Sequence, residues 1–318
     1  MRLQSKKVIC LTGHRGFIGS HLTELCLSKG HRIIGLDKLT YAANRDIEFK
    51  GDFSEQIIDI NDLKTLPFCD IIINMSAESH VDNSISDNSH FMRSNVLGVH
   101  NILELLKNQK INNMMHSWGW TPPLFVQIST DESLGDIEKG FFDESAMQRA
   151  SNPYSCTKAC AEQLVMAWGR TYGLPYIITR TTNNYGPRQH IEKLIPNVIT
   201  RLLSGQKAIV HGGGGYVRNW INVSDNVDAL YTIIDSGNVN EIYHIASDEE
   251  YSVEQIVRKI CGALGKRYED SIDTSIDRSG ADVRYALNYD KTKTLGWRSK
   301  RGFDESLTVL IDHYREKL

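Results

Sequence analysis

Long apolar runs are missing from this 318-residue chain. None approaches the roughly 18 residues of a membrane-crossing helix. The first apolar stretch, Val8 to Leu11, follows a basic start and is too short for a secretory leader, so it reads as a first strand. An excess of one charge is missing too. Lys and Arg number 36 against 39 Asp and Glu, which leaves a formal net charge of −3. Nothing in that balance calls for a nucleic-acid partner or an anionic membrane surface. The six cysteines (10, 26, 69, 156, 160 and 261) form no C-x-x-C pair, which points to free thiols in a reducing cytoplasm. Eleven histidines show no H-E-x-x-H or comparable spacing, so no metal is expected. Internal repeats and low-complexity segments are absent. What remains, 41% hydrophobic and 24% charged, suits one large α/β unit or two domains sharing a cleft.

The first half alternates short β-branched runs with helical stretches. Strands are expected at Val8–Thr12, Arg32–Asp37, Gln56–Ile60, Cys69–Met75, Leu124–Thr130 and Pro175–Arg180. Helices are expected at Ser20–Lys29, His90–Asn108 and Tyr154–Tyr172. Apolar strands alternating with helices predict an α/β fold, a doubly wound parallel sheet covered on both faces. After about residue 183 the rhythm loosens around the turn cluster Asn183–Pro187 and four glycines, Gly212–Gly215. Helical patterns return at Leu194–Leu203 and Val253–Leu264. The expected division is 1–182 for the sheet domain and 183–318 for a smaller mixed α/β lobe, with the chain free to cross between them. Asn112–Pro123 reads as a polar-aromatic loop without an assigned role.

Gly13-His14-Arg15-Gly16-Phe17-Ile18-Gly19 joins the first strand to the first helix. Glycines here permit a tight turn and let backbone approach a pyrophosphate at a helix N-terminus. The candidate cofactor glycines are therefore Gly13, Gly16 and Gly19. Asp37 ends the second strand, 24 residues after Gly13. A carboxylate there can accept ribose hydroxyls and repels a 2′-phosphate, which favours NAD over NADP. Asp59-Ile60 closes the third predicted strand, where a side chain could meet an adenine edge.

Two stretches carry the chemistry. Tyr154-x-x-x-Lys158 puts a phenol and an ammonium one helical turn apart on one face. A nearby cation favours the phenolate, so the tyrosine can act as a base near neutral pH. Thr130-Asp131-Glu132 adds a hydroxyl and two adjacent carboxylates at a strand end. Two such acids repel if both ionise, so one could keep its proton; a proton donor beside an acceptor is what water elimination requires. The plainer reading of the pair is a solvated acidic turn. Arg218 and Arg278 could grip a diphosphate with the planar guanidinium fork, or be ordinary surface charges.

These residues resemble the nucleoside-diphosphate-glucose 4,6-dehydratases among the extended short-chain dehydrogenases/reductases. The likeness runs from Lys7 to about Tyr314 and includes Gly13–Gly19, Asp37–Ala42, Ala77–Asp82, Ser129–Glu132, Tyr154–Lys158, Asn183–Pro187, Glu192–Pro196, Arg218–Trp220 and Leu295–Trp297. It implies a Rossmann-type sheet with a substrate-binding lobe, bound NAD, a homodimer and a sugar-nucleotide substrate. Cofactor contacts implied by the resemblance are Phe17, Ile18, Asp37, Lys38, Leu39, Thr40, Asp59, Ile60, Ser76, Ala77, Glu78, Ser79 and His80, with Tyr154 and Lys158. Implied substrate contacts are His80, Thr130, Asn183, Lys193, Leu194, Arg218 and Arg278. The implied catalytic set is Thr130, Asp131, Glu132, Tyr154 and Lys158. The chain departs from the family pattern at Ser133-Leu134, where Val-Tyr is usual, at Ser76, and at Asp82-Asn83-Ser84, which is closer to the UDP-glucose enzymes of plant rhamnose synthesis. The base, thymine or uracil, stays open. A UDP-sugar 4-epimerase or UDP-glucuronate decarboxylase on the same scaffold is the alternative.

Overall fold

The computed structural model describes residues 1–116, 121–275 and 282–318, apart from the side chains of 114–116. Among the described residues twelve strands follow in chain order: β1 (Val8–Thr12), β2 (Arg32–Asp37), β3 (Phe53–Ile57), β4 (Ile71–Asn74), β5 (Leu124–Thr130), β6 (Tyr176–Thr181), β7 (Asn183–Tyr185), β8 (Ala208–Ile209), β9 (Val217–Asn222), β10 (Glu241–Ile245), β11 (Glu250–Ser252) and β12 (Ile272–Asp273). Seven of them form one parallel sheet in the order β10-β6-β5-β4-β1-β2-β3. The order reverses between β1 and β4, which opens a crevice at their C-terminal ends. β11, β9 and β7 form a second sheet, and β8 pairs with β12.

The alternation of each strand explains the layering. Ile9 and Leu11 of β1 point to one face, Cys10 to the other, and all three are fully buried. The first face packs on α1 (Phe17–Ser28), and the second receives Val99, Ile102, Leu103 and Leu106 of a long helix. That helical stretch differs from the uniform one expected at His90–Asn108. After α2 (Val81–Ser86) and a single turn, α3 (Ser89–Phe91), residues Met92–Leu97 are wound as a π-helix before α4 (Gly98–His116). The wide turn aims Asn95 inward, where it donates to Thr157 Oγ1 (2.9 Å) and clasps the Glu78 backbone (2.9 and 3.0 Å). Within the expected loop 112–123, Asn112–His116 continue α4, and residues 117–120 lie outside the described residues.

α5 (Pro153–Tyr172) begins at the predicted place for a local reason. Asn152 caps it in a reciprocal capping box with Ser155, proline occupies the first turn, and Gly173 closes it in the left-handed region (φ 62°). The third strand sits three residues earlier than the predicted Gln56–Ile60, because β2 pairs Ile33–Asp37 with Phe53–Ile57. Asp59 and Ile60 therefore follow the strand end. In the later half, α6 (Leu194–Leu203) and α8 (Val253–Ala263) pack around Tyr185, Trp220 and Phe303. Between them α7 (Val223–Ser236) and β10 have no counterpart in the sequence reading. Both serve the first sheet: α7 packs on α1's face and β10 forms its edge. Among the described residues no helix is long and apolar enough to cross a membrane.

Candidate active site

A cavity of about 330 Å³ opens at the switch point between β1 and β4. Its floor is the glycine turn. Gly13 has φ +71°, and a Cβ there would meet the Met75 and Ser76 backbone at 2.9 Å. A Cβ on Gly19 would come within 2.1 Å of the Gly13 carbonyl. Only hydrogen fits at either position, so the backbone is free to approach a bound pyrophosphate. Asp37 is almost fully buried at the end of β2. Its carboxylate accepts from Arg15 N (3.0 Å) and Leu39 N (2.8 Å), which fixes it at the cavity wall. Asp37 also has lone pairs left for hydroxyls. These features fit an adenine dinucleotide with a free ribose.

The predicted cofactor residues Gly13, Gly16, Phe17, Ile18, Gly19, Asp37, Lys38, Thr40, Asp59, Ile60, Ser76, Ala77, Glu78, Ser79, Tyr154 and Lys158 all line this cavity. Leu39 does not. It takes a positive φ of 55°, its backbone N–H donates to Asp37 and its carbonyl accepts from Arg45 (2.7 Å). His80 lies instead in the neighbouring cavity and caps α2, its Nδ1 accepting from Asn83 N (3.3 Å). Ser94 and Asn184 also line the first cavity. Asn184 stood in a turn cluster visible in the sequence; Ser94 is delivered by the π-turn, which has no clear sequence signal.

A polar row runs beneath the cavity. Thr12 Oγ1 donates to Asn74 Oδ1 (2.6 Å), and Asn74 Nδ2 donates to Gln127 Oε1 (2.9 Å). Gln127 Nε2 then donates to the Ile128 carbonyl (3.0 Å). Lys158 Nζ donates to that same carbonyl at 2.6 Å.

The second cavity, about 350 Å³, adjoins the first. Glu132, Asn183, Ser79, Glu192 and Lys193 border both. His80, Asn183, Lys193, Leu194 and Arg218 of the predicted substrate set line the second; Thr130 lines the first, and Arg278 lies outside the described residues. Lys193 Nζ is held by the Ser79 carbonyl (2.7 Å). Arg218 is not a loose surface charge. Its guanidinium lies 4.3 Å from the Tyr285 ring centre and donates to the carbonyls of Val217 (2.7 Å), Asp282 (2.9 Å) and Val283 (3.2 Å). Asn152, Tyr216, Trp220 and Tyr285 also line it. Trp220 lay within the Arg218–Trp220 stretch of the family likeness but was given no role; Asn152, directly before Pro153, carried a local signal as a helix cap; Tyr216 and Tyr285 were not picked out.

The five catalytic candidates meet where the cavities touch. Asp131 and Glu132 open a single 3-10 turn capped by Thr130, whose Oγ1 accepts from Glu132 N (3.3 Å) and donates to Asp131 Oδ1 (3.1 Å). Asp131 is 3% exposed, and its Oδ2 has no hydrogen-bond partner among the described residues. Burial, and then the neighbouring Glu132 charge, push its carboxyl up to about 7. Glu132 is half-buried and faces the second cavity. The solvated-turn reading therefore fails for Asp131. Burial pulls the Lys158 ammonium down to about 8, with the Glu162 charge opposing. The expected depression of Tyr154 is not what this arrangement gives. Burial raises the phenol first and the Glu132 charge adds to it, with a Thr130 hydrogen bond opposing, while Lys158 is engaged by the Ile128 carbonyl. Behind Lys158, Glu162 is fully buried and bonded to Arg180 (2.8 to 3.2 Å) and Ser129.

Comparison with known proteins gives consistent results. The family model described as GDP-mannose 4,6 dehydratase matches residues 10–309. The low-salt glycan biosynthesis protein Agl12 of Haloferax volcanii is 39% identical, over 96% of this chain and 98% of its own. The dTDP-glucose 4,6-dehydratase of Haemophilus influenzae is 37% identical, over 96% of this chain and 97% of its own. Among solved structures, DesIV, a dTDP-glucose 4,6-dehydratase from Streptomyces venezuelae with NAD and dTDP bound, superposes with a TM-score of 0.90 at 34% identity, covering 97% of each chain.

Proposed function

The chain belongs to the GDP-mannose 4,6 dehydratase family, and on that premise we propose that it is an NAD+-dependent hydro-lyase that converts dTDP-glucose or UDP-glucose into the 4-keto-6-deoxyglucose nucleotide. One observation carries the reading: a buried acid, Asp131, and a half-buried carboxylate, Glu132, stand beside Tyr154 and Lys158 where the two cavities meet.

The roles of the two acids follow from their environments, and that of Tyr154 from the resemblance. With the Thr130 hydroxyl beside it and Lys158 one turn on, Tyr154 is the group placed to take the proton of the sugar's C4 hydroxyl, although its surroundings raise the phenol. When bound, NAD+ supplies the two-electron acceptor for C4 and returns the same electrons to C6. The 4-keto group acidifies the hydrogen on C5, and Glu132, facing the sugar cavity, removes it. Asp131 holds a proton near neutral pH and donates it to the C6 hydroxyl, which leaves as water. Reduction at C6 and reprotonation at C5 complete the product. Lys193 and Arg218 hold the diphosphate end, with Asn183 and Leu194 beside it. Arg278 joins them on the strength of the resemblance alone.

We take the sheet domain as 1–182 and the sugar-nucleotide lobe as 183–318, the chain crossing back through α7 and β10. The reading extends to a cytoplasmic homodimer. In its favour, all six cysteines are free, and Met92 and Leu97 are exposed at the start of the α4 face. Light scattering that returns a monomer mass rejects the dimer. Incubation with each glucose nucleotide should give the strong alkaline absorbance of a 4-keto-6-deoxy sugar. No keto product from either nucleotide rejects the activity, and a galactose or xylose nucleotide in its place marks an epimerase or decarboxylase.

A further inference from the structure

We propose that Asn152 is a positioning residue for the elimination step, tying Glu132 to the helix that carries Tyr154; this rests on the dehydratase reading. Asn152 Oδ1 accepts from Ser155 N (2.9 Å) and so caps α5. That bond fixes the orientation of the amide, because only the oxygen can accept from an N–H. The other end, Nδ2, is thereby turned toward Glu132 Oε2, 3.5 Å away. The residue lines the sugar cavity, two positions before Tyr154.

One planar group thus links the Glu132 carboxylate to the start of the helix that carries Tyr154. Tyr154 works at C4 and Glu132 at C5, adjacent carbons of one ring, so their separation must hold while the sugar reacts. An amide suits the task because it does not titrate. It donates to Glu132 at every pH and favours the ionised base. The distance is long for a hydrogen bond, as catalytic contacts often are before substrate closes them. Among the described residues, the titratable groups acting on Glu132 include Asp131 on its own turn, Tyr154 on α5 and Tyr285 from the later segment, while His80 and Asp82 by α2, Glu192 and Lys193, Arg218 on β9 and Asp282 line the same cavity.

Two variants separate positioning from capping. Asn152→Ser and Asn152→Asp both retain a side-chain oxygen that caps a helix well, but neither can donate from an amide to Glu132. With saturating NAD+ and the glucose nucleotide that the wild type turns over, Asn152→Ser should lower kcat about tenfold with KM little changed. In a single turnover, reduced nicotinamide should build up, because C4 oxidation outruns elimination. The acidic limb of the kcat–pH profile should move to higher pH, and further in Asn152→Asp, where a second carboxylate faces the base. A wild-type kcat and limb in Asn152→Ser overturns the proposal, as does a loss shared equally by oxidation and elimination. A wild-type protein that forms no keto product overturns the dehydratase reading and this role together.

Discussion

The two cavities are built from different material. The dinucleotide cavity is floored by a glycine turn whose backbone admits no side chain, and is walled by residues at the C-terminal ends of neighbouring strands. The sugar cavity is made of side chains from α2, the 190s, β9 and the segment after 282, brought together only by the tertiary fold. A glycine floor of this kind accepts little change and is specified by a short contiguous motif. A side-chain site can be retuned one residue at a time, which leaves the nucleotide base open while the cofactor class is plain.

Substitutions where the cavities meet test that contrast most severely. Glu132→Gln should lower turnover by about 10²- to 10⁴-fold while C4 oxidation persists, seen as accumulation of reduced nicotinamide. Equal loss of both steps would mean that the carboxylate serves the cofactor side too. Next is Gly19→Ala, whose Cβ would collide with the Gly13 carbonyl. NAD affinity should fall by about one to two orders of magnitude, measured by titration, in a protein that still folds. A side-chain site should respond more mildly. Arg218→Lys should raise the KM for sugar nucleotide about tenfold and leave NAD binding unchanged, since an ammonium cannot make the forked contact. The smallest effect concerns stability. The Asp131 carboxyl is raised in the folded state to about 7, so the fold favours the protonated form. That contribution is complete below the ordinary carboxylate range and lost as pH rises through about 7. Asp131→Asn, which mimics the neutral acid, should therefore unfold a few degrees above wild type at about pH 8, with the gap closing toward about pH 4. Thermal scans at both values check it.

Legibility followed the same contrast. The glycine turn, Asp37, the acid pair and Tyr154–Lys158 could be read from the sequence because each is a local pattern whose spacing suggests a definite chemistry. The third strand was misplaced because Phe53–Ile57 is mostly exposed at the sheet edge and lacks an apolar signature. The π-turn at Met92–Leu97 is set by packing against α5 and Glu78 rather than by propensity. α7 and β10 rejoin a sheet more than forty residues after β6, a return that periodicity alone does not announce. Tyr285 and Trp220 reach the sugar cavity through tertiary packing, and spacing could not mark them.

The row from Thr12 through Asn74 to Gln127 also bears on how the chain finds its fold. β4 and β5 are apolar on both faces, so sliding one strand past its neighbour would still leave greasy groups in greasy surroundings. The three polar residues sit opposite one another, Thr12 beside Asn74 and Asn74 beside Gln127. A slip of even one position would strand a hydroxyl and two amides in a dry interior. The row acts as a notch that admits one alignment, and the same notch sets the height of the carbonyl on which Lys158 rests.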